Sequence, residues 1–182
     1  MGVTGAFAIF LNGSYGVGKT STLDHVGDLL AAASRPFSLM DVDWFHRSWP
    51  VADHDPDNTA VEAQNIAAVW ANYRAAGPRQ LVISGVIASR EDLDRYSRAV
   101  AMPVRPVRLV AEPATVTARL RGRYGPAQQE ALGWHLDRVA DLQDRQARAD
   151  LDEAVIATDH RTPAEVARAV VGHFELAAPD VV

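Results

Sequence analysis

Eight residues constrain this chain more than any others: Gly13-Ser14-Tyr15-Gly16-Val17-Gly18-Lys19-Thr20 satisfies G-x-x-x-x-G-K-[ST] at every fixed position. Glycines let the backbone turn successive amides toward one centre. A helix opening near Gly18 adds its positive end, and together these form an anion site suited to the β-phosphate of a nucleoside triphosphate. In that setting the Lys19 ammonium reaches the β- and γ-phosphates and the Thr20 hydroxyl is a ligand for Mg²⁺. The same roles make Ser14, Tyr15, Val17 and Ser21 part of the cradle. The pattern has this meaning only between a strand and a helix, and the flanks agree. Ala6 to Leu11 is an apolar run meeting a turn at Asn12-Gly13, and from Gly18 to Ala33 Leu23, Val26, Leu29 and Leu30 recur at helical spacing.

Lys19 is the chain's only lysine; every other basic residue is arginine. The guanine-reading N-K-x-D pattern is therefore impossible, which excludes an ordinary GTPase. A net charge of −5 with both signs intermixed argues against a broad basic face for nucleic acid. There is no cysteine, so neither disulfides nor thiolate metal sites are available, and a cytoplasmic home fits. No apolar run is long enough to span a membrane. The N-terminus has no basic residue ahead of its apolar stretch and meets Gly13 where a signal peptide would finish, so it reads as a buried strand. Ala6 stands where a myristoylation signal wants Ser or Thr.

The rest alternates strand and helix without repeat or linker, so residues 1–182 read as one domain. Phe37 to Val42 is a second strand. Thr59 and Glu62 form a capping box that opens a helix carried by Ile66, Val69, Trp70 and Tyr73. Leu81-Val82-Ile83 is a third strand, Ser89 and Asp92 cap a short helix, and Val104 to Val110 is a fourth strand, placed near an edge by Pro106. A helix from Pro113 to Leu120 is interrupted by Arg119-Leu-Arg-Gly-Arg-Tyr-Gly125 before a long helix from about Ala127 to Ala149. Ala154 to Ala157 is the last strand, and Thr162-Pro163-Ala164-Glu165 opens a terminal helix. Five strands alternating with helices predict an α/β fold, a mostly parallel sheet with helices on both faces.

Three looser features surround the cradle. The second strand ends in Asp41-Val42-Asp43, followed by Trp44-Phe45-His46-Arg47. The third ends in Ile83-Ser84-Gly85-Val86, with no aspartate where GTPases and AAA-type ATPases place one. Arg119, Arg121 and Arg123 lie beside Gly122 and Gly125. With these features the chain resembles, over nearly its whole length in order of elements, the small P-loop kinases. These are the nucleoside-monophosphate kinase, shikimate kinase, gluconate kinase and chloramphenicol phosphotransferase group. The resemblance implies a three-layer P-loop sandwich with strand order 2-3-1-4-5 and a short arginine-rich lid over about 119–133.

By the same resemblance Asp43 accepts or orients the acceptor hydroxyl's proton and Asp41 holds a water on Mg²⁺. Arg119 and Arg123 bind ATP and clamp the transferring phosphoryl group, while Arg121 is open. Alternate residues of a strand share a face, so both carboxylates can enter one cleft. Arg138, Arg145 and Arg148 on the next helix are weaker candidates, and the last two read as a solvated helix face.

The segment from Trp44 to Asn58 is expected to line the acceptor pocket, with Trp44, Arg47 and Arg90 among its contacts. With cations scarce there, a neutral or cationic hydroxylated acceptor is expected, a sugar, nucleoside or antibiotic-like molecule. The histidines show no metal-ligand spacing and read as structural or surface residues. Two other functions share the cradle. A nucleotide-dependent switch would need a γ-phosphate sensor and a partner surface, and neither is legible. A nucleoside-monophosphate kinase would need an aromatic and arginine pattern that is not visible. The oligomeric state cannot be read.

Overall fold

The computed structural model describes residues 6–176. Residues 1–5 and 177–182 of the expected single domain, and with them part of the N-terminal reading, lie outside the described residues. The elements follow in the order β1 (Ala8–Asn12), α1 (Lys19–Ala32), β2 (Phe37–Asp41), α2 (Thr59–Ala75), β3 (Gln80–Ser84), α3 (Arg90–Val100), β4 (Val104–Val110), α4 (Pro113–Arg123), α5 (Gln129–Ala149), β5 (Ala154–Ala157) and α6 (Pro163–His173). The five strands form one sheet in the order β2-β3-β1-β4-β5, and every pairing is parallel. This is the architecture of a P-loop sandwich.

The central strand shows why the sequence folds this way. All of β1 is buried, as expected for a parallel strand covered on both faces. Its alternate residues feed two cores. Ile9 and Leu11 pack with Val82, Val107 and Leu109 beneath α1 and α6. Ala8 and Phe10 pack with Leu81, Ile83 and Met40 beneath α2 and α3, where Ile66, Trp70, Leu93 and Tyr96 close the layer. No helix among the described residues is long and apolar enough to cross a membrane.

Several local expectations hold and others change. Ser89 accepts from Asp92 N, and Thr162 and Glu165 form the expected capping box. The box at the start of α2 does not form. Asp55 takes its place, accepting from Ala60 N and Val61 N at 3.0–3.1 Å, and Glu62 turns inward. Strand β4 lies one strand in from the β5 edge. Pro106 is tolerated there because its carbonyl accepts from Glu153 N at 2.8 Å. Its nitrogen therefore faces the β5 side below Ala154, where β5 has not begun, and no ladder bond is lost. The arginine stretch does not interrupt α4 but forms its last turn, through Arg123.

The sheet order reverses around β1, whose neighbours β3 and β4 lead the chain outward in opposite directions. Ligands of open parallel sheets bind beyond the carboxyl ends of the strands at such a switch point. The Gly13–Thr20 loop leaves β1 there.

Candidate active site

The loop is built for close approach to an anion. Gly13 has φ 142, and a Cβ there would lie 2.5 Å from the Leu109 carbonyl oxygen. Only glycine lets the chain turn under β4 at that point. Gly18, also left-handed at φ 98, is the N-cap of α1, and no side chain caps the helix. The first amides of α1 are thus left for a ligand. Lys19 curls over the loop, its Nζ donating to Gly13 O at 2.8 Å and Ser14 O at 3.1 Å. Burial pushes the Lys19 pKa down, opposed by the Asp43 and Asp41 carboxylates. Ser14 Oγ is buried without a partner. An unclaimed hydroxyl, unclaimed helix amides and a buried ammonium are what a polyphosphate would satisfy.

Beside the loop, Thr20 Oγ1 donates to Asp41 Oδ2 at 2.8 Å. Among the described residues no three His, Asp or Glu side chains converge to cage a metal. Thr20 with Asp41 therefore fits a cation that arrives with a nucleotide, held chiefly by phosphate oxygens. Asp41 and Asp43 do not share a strand face as the D-x-D reading expected. β2 ends at Asp41, and Val42–Trp44 is a single 3-10 turn whose start is fixed by Asp43 N donating to Asp41 Oδ1 at 3.3 Å. The turn separates the two carboxylates. Asp41 stays beside Thr20, and Asp43 reaches forward into the clefts.

Three cavities adjoin in a row. One of about 230 Å³ is lined by Val17, Gly18, Arg119, Thr158 and Arg161. The next, about 330 Å³, is lined by the loop, Lys19, Thr20, Ser21, Asp43, Arg119 and Arg123. The third, about 600 Å³, spreads between α2, α3 and α5. Tyr15, Asp43 and Arg123 line both the second and the third. Burial and the Asp43 carboxylate both push the Tyr15 phenol pKa up, so the phenol stays protonated as a donor at the junction.

Arg119 is anchored without any ligand. Its NH1 donates to Thr158 Oγ1 and its NH2 to Thr158 O, both at 2.9 Å, and it reaches the Gly16 and Val17 carbonyls at 3.4 Å. It walls the first two cavities. Arg121 is exposed and lines none of the three.

On the acceptor side, Arg47 lines the largest cavity, but Trp44 and Arg90 do not. Trp44 is 68% exposed, its ring covered by the Arg47 guanidinium at 4.3 Å. Arg90 is the exposed first residue of α3. The aromatic wall comes from Tyr15, expected only as part of the cradle, and from Tyr96, Tyr124 and Trp134, which were given no role above. His46 and His135, read as structural or surface histidines, line the same cavity, as do Glu62, Arg95 and Arg145. Tyr96 also closes the core beneath α2 and α3, and nothing local marks Glu62 as other than a capping acid. The Trp134-His135 pair early in α5 was the one available signal.

No family model and no curated protein matches the sequence. Solved structures do resemble the fold. An unliganded sugar kinase from Janibacter sp. HTCC2649 shares 18% identity over 96% of this chain and 97% of its own, with a TM-score of 0.64. The tunicamycin resistance protein of Deinococcus radiodurans is equally similar, at 18% identity and a TM-score of 0.64 over 96% and 98% of the two chains. A shikimate kinase from Acinetobacter baumannii in complex with shikimate has 18% identity and a TM-score of 0.58 over 94% of each chain. The chain therefore has the fold of the small P-loop kinases.

Proposed function

We propose that this chain is an ATP-dependent phosphotransferase that moves the γ-phosphate of Mg-ATP to a hydroxyl of a small molecule. One observation carries the reading. The phosphate cavity and the larger cavity beside it meet at Tyr15, Asp43 and Arg123. A hydroxyl in one therefore faces a phosphate in the other, with a carboxylate and a guanidinium at the junction. The kinases among the structures of similar fold support it.

The geometry supports a set of roles. The cavity beside Thr158 and Arg161 receives the base, and Arg119, already held by Thr158, lies along the phosphates. The loop amides and Lys19 hold the β- and γ-phosphates, and Arg123 faces the transferring group. When bound, Mg²⁺ neutralises the β- and γ-oxygens; Thr20 would be its protein ligand and Asp41 would hold one of its waters. Asp43 orients the acceptor hydroxyl in line with the γ-phosphorus and takes its proton. The new bond joins the acceptor oxygen to phosphorus, the bond to the β-bridging oxygen breaks, and ADP leaves. Positioning contributes more to such a reaction than base strength does.

The test is ATP consumption by pure protein, idle and then with pooled hydroxylated metabolites and antibiotics, with mass spectrometry for products heavier by one phosphoryl group. Consumption that rises with the pool, together with such a product, is the expected result. Turnover indifferent to every hydroxyl compound would instead make the chain a nucleotide-dependent switch.

A further inference from the structure

The wall of the acceptor cavity is a connected polar chain. Asp92 Oδ1 accepts from Arg95 NH1 at 3.0 Å, and the Arg95 guanidinium lies 5.3 Å from the centre of the Tyr96 ring. Tyr96 OH donates to Glu62 Oε1 at 2.6 Å, and Glu62 Oε2 meets His46 Nδ1 at 3.0 Å. All five residues line the cavity. Glu62 is buried, at 6% exposure.

The charges in this wall are largely spent on one another. Arg95 gives one N–H to Asp92 while its buried Nε has no partner, and Arg145 pairs with the exposed Asp141 one turn away at 3.0 Å. Both Glu62 oxygens are taken by Tyr96 and His46. Arg47 lies on Trp44 and donates to the Asp43 carbonyl at 3.2 Å, and Asp57 sits at the exposed rim. Asp43 and Arg123 belong to the junction with the phosphates. A carboxylate acceptor would meet no arginine in this wall without an acid or carbonyl already on it, and an ammonium acceptor no buried carboxylate free to receive it. What remains is a set of single hydrogen-bond groups: the further N–H groups of Arg95, the second ring nitrogen of His46, the phenols. Hydroxyls, which donate and accept at once, suit such a set. Across the cavity Tyr15 packs edge-on to Trp134 at 5.7 Å and to His135 at 4.7 Å, an apolar surface for the C–H face of a ring.

We infer that the acceptor is a neutral polyhydroxylated ring, the chemistry of a sugar or cyclic polyol, and that Glu62 is a positioning residue that sets its binding groups by holding Tyr96 and His46. This rests on the phosphotransferase reading above.

The test uses the full chain with ATP and Mg²⁺ and three matched panels. Glucose, galactose, mannose, ribose and myo-inositol are neutral, glucosamine and galactosamine cationic, glucuronate and galacturonate anionic. The neutral panel is expected to raise ATP consumption, with kcat/KM about tenfold or more above the charged counterparts. For the best acceptor, Tyr96→Phe, which removes only the hydroxyl, and Glu62→Gln are expected to raise the acceptor KM about tenfold. The KM for ATP should move far less than that. A variant that merely loosens the fold would degrade both constants together. A stronger response to an amino sugar or a uronate overturns the inference while leaving the phosphotransferase intact, as does an unchanged acceptor KM in Tyr96→Phe. If no panel compound responds, the acceptor part of the product found in the metabolite pool decides: a neutral polyhydroxylated ring supports the inference, a charged acceptor overturns it. No product at all ends both readings.

Discussion

Gln146 Nε2 donates to Asn12 Oδ1 at 2.8 Å, joining the end of α5 to the residue that opens the phosphate loop. Both side chains are buried, at 2% and 1% exposure. The same Asn12 oxygen accepts from Gly13 N and Ile87 N, and its Nδ2 donates to Ile87 O and Asp152 Oδ1. One amide thus ties the loop entry to the segment after β3, to the approach to β5 and to α5. The other end of α5 carries Trp134 and His135 over the acceptor cavity. The helix is therefore a post fixed at its C-terminal end, with its working end reaching over the site.

Gln146→Leu is expected to destabilise the fold by about 2–3 kcal/mol, since the near-isosteric swap strips a donor from a fully desolvated network. Urea denaturation should show a lower midpoint at unchanged slope. A loss below about 0.5 kcal/mol would mean that this contact does not hold α5 in place.

Lys19→Ala should abolish phosphoryl transfer while circular dichroism shows a retained fold. Its ammonium bonds only to loop carbonyls here, and burial depresses its pKa, so the folded state gains little from it. The transition state would lose charge-assisted contacts of about 3 kcal/mol or more. Near-normal turnover in this variant would remove the loop from the chemistry.

Asp43 and Asp41 should separate in their effects. Asp43→Asn is expected to lower turnover about a hundredfold with little change in ATP affinity, because Asp43 stands at the junction with the acceptor cavity. Asp41→Asn removes the carboxylate charge beside Thr20 and should raise the Mg²⁺ concentration needed for half-maximal rate. Equal loss of ATP binding and turnover in Asp43→Asn would reassign that residue to the metal, and a Mg²⁺ requirement unchanged in Asp41→Asn would make Asp41 structural.

What was legible in the sequence was what local pattern controls. The loop, the apolar strands and the Ser89 and Thr162 caps depend on neighbours a few residues apart, so motif and periodicity suffice. Glu62 shows where that stops. It stands three residues after Thr59 and so reads as a capping acid, but the turn at Ala52–Asp55 brings Asp55 to the helix end instead. Glu62 is then free to face Tyr96, a contact no local rule contains. Aromatic identity likewise says nothing of direction: Trp44 and Trp49 are exposed, while Tyr15, at an unconstrained position of the motif, shapes the junction. The arginine stretch, with its glycines, read as a flap, yet Gly122 sits in helix with open space around it and the turn simply continues.

That continuity reshapes the expected lid. Arg119 is anchored to Thr158 and to the loop, whereas Tyr124 to Glu130 connect α4 to α5 through largely exposed residues. Few buried contacts hold such a segment, so it should open locally at low cost. Amides through Leu120 are therefore expected to be slow in hydrogen exchange with or without ligand, and those of about residues 124–133 fast in the free protein. A non-hydrolysable ATP analogue with Mg²⁺ should slow exchange in the loop and in 124–133 together, because Arg123 lines the loop's cavity at the near end of that segment and Tyr124 and Trp134 line the cleft beyond it. Protection of the loop with no change in 124–133 would leave the site open on that side. The closing role would then pass to the Arg47 turn, where the same measurement would show it as new protection between Trp44 and Asn58.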